Sequence, residues 1–173
     1  KYRIYCITSD GEMQEGNYWE AVMFAAHNKV DNLIAAIDFN GQQIDGATDD
    51  VNSLGDLKAK YLSFGWDVIE CDGNDMEELL ATLAEAKSKT GNGKPILILM
   101  KTEMGKGVDF MEGTHKWHGV APNDEQLQDA LPDQKRKKIL PQTVHNELIK
   151  DDRFVLVGRG LYALTEWGYE PGT

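Results

Sequence analysis

Short apolar runs spaced by segments of helical periodicity constrain this chain more than any other feature. Leu33–Asp38 (LIAAID) and Pro95–Met100 (PILILM) are unbroken apolar runs that end in polar residues, the pattern of strands covered on both faces. Tyr2–Thr8 (YRIYCIT) and Trp66–Glu70 are further β-rich runs. Between the first pair of strands, Glu15–Asn28 places Trp19, Val22, Met23 and Ala26 at i, i+3, i+4 and i+7, one face of a helix. Leu54–Phe64 also reads as helical. Asp75 with Glu78 three residues on is a capping-box pattern, and Met76, Leu79, Leu80 and Leu83 are expected to face inward on the helix it opens. Strand–helix alternation of this kind predicts an α/β fold, a parallel sheet with helices on both faces. Ligands of such sheets sit at the carboxyl ends of the strands. Two polar clusters fall there: Ser9-Asp10-Gly11 and Asp38-Phe39-Asn40-Gly41.

No apolar run approaches the roughly 18–20 residues needed to cross a bilayer, so no membrane span is expected. Cys6 and Cys71 are the two cysteines, and neither belongs to a CxxC pair. That excludes a disulfide framework and a thiolate zinc site, and fits a reducing, cytoplasmic setting. The chain opens at Lys1 and runs at once into a strand pattern, as expected of a partial chain. The net charge of −11 is unevenly spread: residues 1–132 carry 11 Lys+Arg and 23 Asp+Glu, residues 133–173 carry 7 and 6. An acidic body repels nucleic acid, so any DNA contact is expected from the tail, where Lys135, Arg136, Lys137 and Lys138 are consecutive. Taken alone, that basic run reads as a solvated linker.

Asp10 follows one strand and Asn40 the next, so adjacent parallel strands bring their ends within reach of one ion. A hard cation such as Mg²⁺ takes a carboxylate, an amide oxygen, a carbonyl and the oxygens of a diphosphate. Gly11 lets a phosphate approach the backbone. By pattern alone, Asp-Gly and Asn-Gly are most often plain turns. Of the remaining histidines, His27 reads as a packing or surface residue. His115 and His118 lie three apart in a Gly-flanked loop, without carboxylates spaced to complete a metal site. Trp66, Phe64, Trp19 and Tyr18 read as core.

Residues 9–46, SDGEMQEGNYWEAVMFAAHNKVDNLIAAIDFNGQQIDG, resemble the thiamine-diphosphate motif of transketolase: a GDG triplet, an interval of this length, then a terminal Asn. Residues 104–124, MGKGVDFMEGTHKWHGVAPND, resemble a second transketolase segment, and the likeness runs over residues 1–131. The resemblance implies that Asp10, the Asn40 side chain and the Gln42 carbonyl hold Mg²⁺. It further implies that the Gly11 N–H binds the cofactor diphosphate and that Ile44 packs on the thiazolium. His118, in the WHG triplet, matches a catalytic histidine facing diphosphate and substrate, and Glu15 and Glu20 match carboxylates of a dimer-interface network. Ser9 replaces the first motif glycine; it fits with ordinary backbone torsions, whereas φ > 0 would cost about 1 kcal/mol or more. The implied activity is transfer of a two-carbon ketol unit between sugar phosphates. The family's upstream Gly-rich loop and its pyrimidine-binding domain, with the activating glutamate, have no counterpart in this sequence. The chain alone is therefore expected not to turn over. It is expected to need a dimer and a pyrimidine-binding domain or subunit.

After Leu131 the pattern changes. Residues 132–140 read as a basic linker and Pro141–Lys150 as a short helix, followed by a hairpin of Phe154–Val157 and Leu161–Leu164 around Gly158-Arg159-Gly160. Residues 143–169 resemble the second half of a HARE-type helix-turn-helix, a winged-helix module. This implies a small helix-and-hairpin segment over residues 141–173. In such a module Gln142, Thr143, His145 and Asn146 would face a DNA groove, while Arg159 and Lys135–Lys138 would meet phosphates. A DNA-binding or transcription-associated protein acting through this tail is the alternative function.

Overall fold

The apolar runs become strands because a central sheet buries them from both sides. The computed structural model describes residues 2–130, 154–158 and 161–164. In chain order the first unit, residues 1–121, contains β1 (Ile4–Ser9), a 3₁₀ turn (Gly11–Gln14), α1 (Gly16–His27) and β2 (Leu33–Phe39). A short hairpin of β3 (Gln42–Gln43) and β4 (Gly46–Ala47) follows, then α2 (Thr48–Asn52), α3 (Leu57–Phe64) and β5 (Asp67–Asp72). The unit continues through α4 (Met76–Lys89) and β6 (Ile96–Lys101) to a 3₁₀ turn at His115–Trp117. The main sheet has the order β1-β2-β6-β5 and is parallel throughout.

Alternation along the strands divides the core in two. Ala35, Ile37, Leu97 and Leu99 meet α1 and α3 through Val22, Ala25, Leu57 and Tyr61. Ile34, Ile69, Ile96 and Ile98 meet α4 through Ala86, Leu79 and Leu83 on the opposite face. Trp66 is buried and donates its Nε1–H to the Val22 carbonyl at 3.0 Å. Trp19, Tyr18 and Phe64 pack against the same cluster. Helix α1 precedes β2 on one face and α4 precedes β6 on the other, so the winding changes sides between the neighbours β2 and β6. In parallel sheets this is where a crevice opens.

Two inward assignments are corrected: Met76 is 65% exposed and Leu80 60%. Met23, on the same face as Val22 by spacing, is 48% exposed. The most buried positions are Val22 and Ala25 on α1 and Thr82 and Ala86 on α4, with Leu79 and Leu83 packed beside them against the sheet. Helix α3 begins at Leu57, later than Leu54, because the Asp56 carboxylate caps it by accepting from the Ala59 N–H at 2.9 Å. Asp75 caps α4 by accepting from the N–H groups of Glu77 and Glu78 at 2.9 and 3.1 Å. The reciprocal half of the expected box is displaced: Glu78 accepts from Asp72 N–H at 3.2 Å, not from Asp75. Asp75→Ala is expected to destabilise the unit by about 0.5–2 kcal/mol, read from the urea midpoint.

The second unit, residues 122–173, begins with α5 (Asp124–Ala130). Asn123 and Gln126 form a reciprocal capping box there, each side-chain oxygen accepting the other's backbone N–H at 2.9 Å. β7 (Phe154–Gly158) pairs antiparallel with β8 (Leu161–Leu164), with an irregularity between Leu156 and Gly158. The 132–140 linker, the Pro141–Lys150 helix and its groove-facing residues, Lys135–Lys138 and Arg159 lie outside the described residues.

Candidate functional site

Asp10 closes the turn after β1, is wholly buried, and ties two loops together. Its Oδ1 accepts from Gly11 N–H at 2.9 Å, and its Oδ2 accepts from Gly41 N–H at 2.6 Å, thirty-one residues away. Its own N–H donates to the Asp38 carbonyl at 3.3 Å, continuing the β1–β2 register that pairs Ser9 with Asp38. Gly41 can present its N–H in this way because its φ is +72°, a conformation that glycine adopts without a steric penalty. The loops after β1 and β2 therefore converge, as expected of adjacent parallel strands.

Above Asp10 lies a cleft of about 880 Å³. Gly11, Asn40, Gln42, Ile44 and His118 all line it, so the structure brings these predicted residues together; Asp10 itself is buried and does not line it, though its neighbours Ser9 and Gly11 do. Asn40 is tightly set: its Nδ2 donates to Asp38 Oδ2 at 3.3 Å, and its Oδ1 accepts from Gln42 N–H at 2.8 Å. Ile44 stands 69% exposed, an apolar side chain presented to the cleft. His118 follows the 3₁₀ turn and donates its N–H to the His115 carbonyl at 2.9 Å. The loop before it is held by Trp117, whose Nε1–H reaches the Phe110 carbonyl at 2.9 Å. Glu15 lines the cleft, whereas Glu20 is exposed on α1 outside it.

Two features adjust the sequence reading. Gly11 N–H, which the resemblance gave to a diphosphate, is used within the loop by Asp10 Oδ1. Ser9 is the last residue of β1, and Lys29 is the one non-glycine residue with positive φ among the described residues. The serine is therefore accommodated without backbone strain. Its N–H and Oγ both donate to Glu12 Oε2, at 2.7 and 3.3 Å.

Glu12, Glu15, Asp38 and Glu103 line the cleft, and among the described residues no lysine or arginine does. Burial first, and then repulsion from Asp38, hold the Asp10 carboxyl above the usual carboxylate range, against the lowering effect of its two loop N–H donors. A buried carboxylate beside a second one, with no cationic side chain among its partners, suits a hard divalent ion. Among the described residues no three His, Cys, Asp or Glu side chains gather as a metal site. The donors on offer are a carboxylate, an amide oxygen and a backbone carbonyl, a set for an ion that keeps water or phosphate oxygens. The residues present therefore fit Mg²⁺ and a diphosphate.

The raised Asp10 pKa carries a sign. The folded chain holds this proton more firmly than the unfolded chain, so ionisation opposes folding. In the absence of metal, the wild-type chain should gain stability relative to Asp10→Asn as pH falls through the raised pKa. The gain should be complete below the ordinary value of 3.8. Urea unfolding of both chains from pH 7 to 4 reads this, and a relative loss on acidification would contradict it.

Sequence reasoning missed Thr102 and Gln43. The Thr102 hydroxyl donates to Asp38 Oδ1, a contact made only because β6 pairs with β2, and no local pattern announces that pairing. Gln43 Nε2 is the one buried side-chain polar atom without a partner among the described residues.

A parallel α/β unit with a crevice at its strand ends, where the winding changes sides, belongs to the class of open α/β sheets that bind ligands there. Comparison with known proteins gives the particular one. Residues 1–153 match the family model "Transketolase, thiamine diphosphate binding domain", and the chain belongs to this family. It is 42% identical over 130 residues to one of the subunits of the apulose-4-phosphate transketolase of Phocaeicola vulgatus, covering 75% of this chain and 46% of that protein. It is 41% identical over 128 residues to the 6-deoxy-6-sulfo-D-fructose transketolase subunit SqwG of a Clostridium species, covering 74% and 46%. Among solved structures, the transketolase of Campylobacter jejuni superposes with a TM-score of 0.69 at 35% identity, over 75% of this chain and 20% of that one. The chain thus spans about half the length of the subunits it matches.

Proposed function

We propose that this chain binds Mg²⁺ and thiamine diphosphate in the cleft at the ends of β2 and β6. We further propose that it is part of an enzyme transferring a two-carbon ketol unit between sugar phosphates. The observation that carries the reading is Asp10, a fully buried carboxylate without a cationic partner among the described residues, at the junction of two loops beneath an acidic cleft. A diphosphate entering such a cleft needs a divalent cation between the two sets of negative charge.

Asp10, Asn40 Oδ1 and the Gln42 carbonyl would hold the ion. When bound, thiamine diphosphate supplies the nucleophilic thiazolium carbon and the electron sink. Ile44 would pack on the thiazolium and keep water from it, and His118 at the rim would bind diphosphate and substrate. The relatives named as subunits support a second subunit that contributes the pyrimidine-binding part, with Glu15 and Glu20 in a dimer-interface network. In this reading residues 1–131 form the cofactor-binding part. No observation favours the DNA-binding alternative: its groove-facing residues lie outside the described residues, and the family match covers Lys135–Lys138 and residues 142–146.

The test is a titration of Mg²⁺ at fixed thiamine diphosphate, followed by tryptophan emission. A saturable response that needs both components is expected, with no two-carbon transfer by the purified chain alone. A salt-sensitive response to duplex DNA, with none to the cofactor, would overturn the reading.

A further inference from the structure

We propose that Asp38, held by Thr102, is a positioning residue that sets which end of the Asn40 side-chain amide faces the bound cation. This rests on the Mg²⁺ reading above. The two ends of a carboxamide are nearly equal in shape and opposite in polarity. The oxygen can ligate a cation, whereas the NH₂ group repels one. A site that uses Asn as a ligand therefore has to stop the amide from turning over.

Both neighbours of the Asn40 amide have a fixed polarity. The Asp38 carboxylate can only accept, so the group at 3.3 Å from its Oδ2 must be the NH₂. The backbone N–H of Gln42 can only donate, so the group at 2.8 Å from it must be the oxygen. Oδ1 then keeps a second lone pair for the ion. Asp38 is in turn fixed from the far side. Its Oδ1 accepts from the Thr102 hydroxyl, and the Thr102 N–H donates to the Phe39 carbonyl at 3.2 Å. Asp38 pairs in register with Met100 on β6, so this clamp joins the ends of the two strands between which the crevice opens. Thr102, Asp38 and Asn40 form one chain of donors and acceptors in which no link can be reversed. Asp38 has both oxygens engaged and acts on the ion through Asn40.

Asp38 also carries a charge, and a charge near a cation raises affinity by itself. The two effects separate in an Asn40→Asp background, where both ends of residue 40 are oxygen and no amide polarity remains to be set. The measured quantity is the Mg²⁺ concentration at half-maximal tryptophan response under saturating thiamine diphosphate, with urea unfolding of each metal-free variant alongside. Asp38→Asn is expected to raise it about tenfold in the wild-type background, the range of outer partners of metal ligands, and by less than about twofold in the Asn40→Asp background, the non-additivity of a coupled pair. Thr102→Val, which changes no charge, should act in the same direction by about threefold in the wild-type background alone, and it carries the test if Asp38→Asn does not fold. Equal factors in the two backgrounds would overturn the positioning role and leave the cofactor reading intact. A wild-type chain with no Mg²⁺ response at all would overturn both.

Discussion

Asp10→Asn is expected to raise the Mg²⁺ concentration required at fixed thiamine diphosphate by roughly 100-fold or more, beyond the 10–100-fold typical of an outer partner of a metal ligand. The carboxylate would be the charged member of the proposed donor set, and no other carboxylate among the described residues accepts from both loops. The fold should survive. The amide is isosteric, and its oxygen continues to accept one of the two N–H groups, from Gly11 or Gly41. Its NH₂ then opposes the other N–H, at a cost of about 1–3 kcal/mol. Relief from burying a charge acts in the opposite direction. The Mg²⁺ titration and urea unfolding on the same preparation separate binding from folding. A variant that keeps the wild-type Mg²⁺ response would remove Asp10 from the site.

The second large effect concerns the loop that walls the cleft after β6. Gly105 has φ +75°, and a Cβ added there would lie 2.5 Å from the Met111 carbonyl oxygen and 2.6 Å from its carbon. These are backbone atoms that cannot rotate aside. Gly107 has φ +87° with open space around its would-be Cβ, so it serves as the control for conformation alone. Gly107→Ala should cost about 1–2 kcal/mol from the left-handed backbone. Gly105→Ala adds about 1–3 kcal/mol of overpacking, for roughly 2–5 kcal/mol in all. Urea midpoints decide, and equal losses at the two positions would contradict the contact with Met111. Met104 and Gly105 line the cleft and Gly113 N–H donates to the Met104 carbonyl at 2.9 Å, so the disruption should also reach the site.

What could be read from the sequence follows from what is local. The run LIAAID is a strand from Leu33 to Phe39 because continuous apolarity has one stable home in a parallel sheet. The placement of Asp10 and Asn40 at successive strand ends was enough to bring their loops together. Helix faces were less legible. Spacing by three and four residues admits neighbouring stripes, and hydrophobicity favoured Met23, Met76 and Leu80 over Ala25, Thr82 and Ala86. On α4 the stripe that meets the sheet runs through Leu79, Leu83 and Ala86, one position round from Met76 and Leu80. The hairpin of Gln42–Gln43 with Gly46–Ala47 is too short to leave a periodic signal. The link from Thr102 to Asp38 depends on β6 entering the sheet beside β2, a matter of topology that no window of residues contains. Ser9 shows the reverse case: its departure from the family motif brings no backbone strain, because the residue ends β1 without a positive φ.

In the proposed function the turns after β1 and β2 share one divalent ion with a diphosphate. Anomalous diffraction from crystals of this chain grown with Mn²⁺ and thiamine diphosphate measures this directly. A single strong peak is expected within bonding distance of Asp10 and Asn40 Oδ1, with diphosphate density on its far side. A manganese peak elsewhere, with these two side chains bonded only to protein, would contradict it.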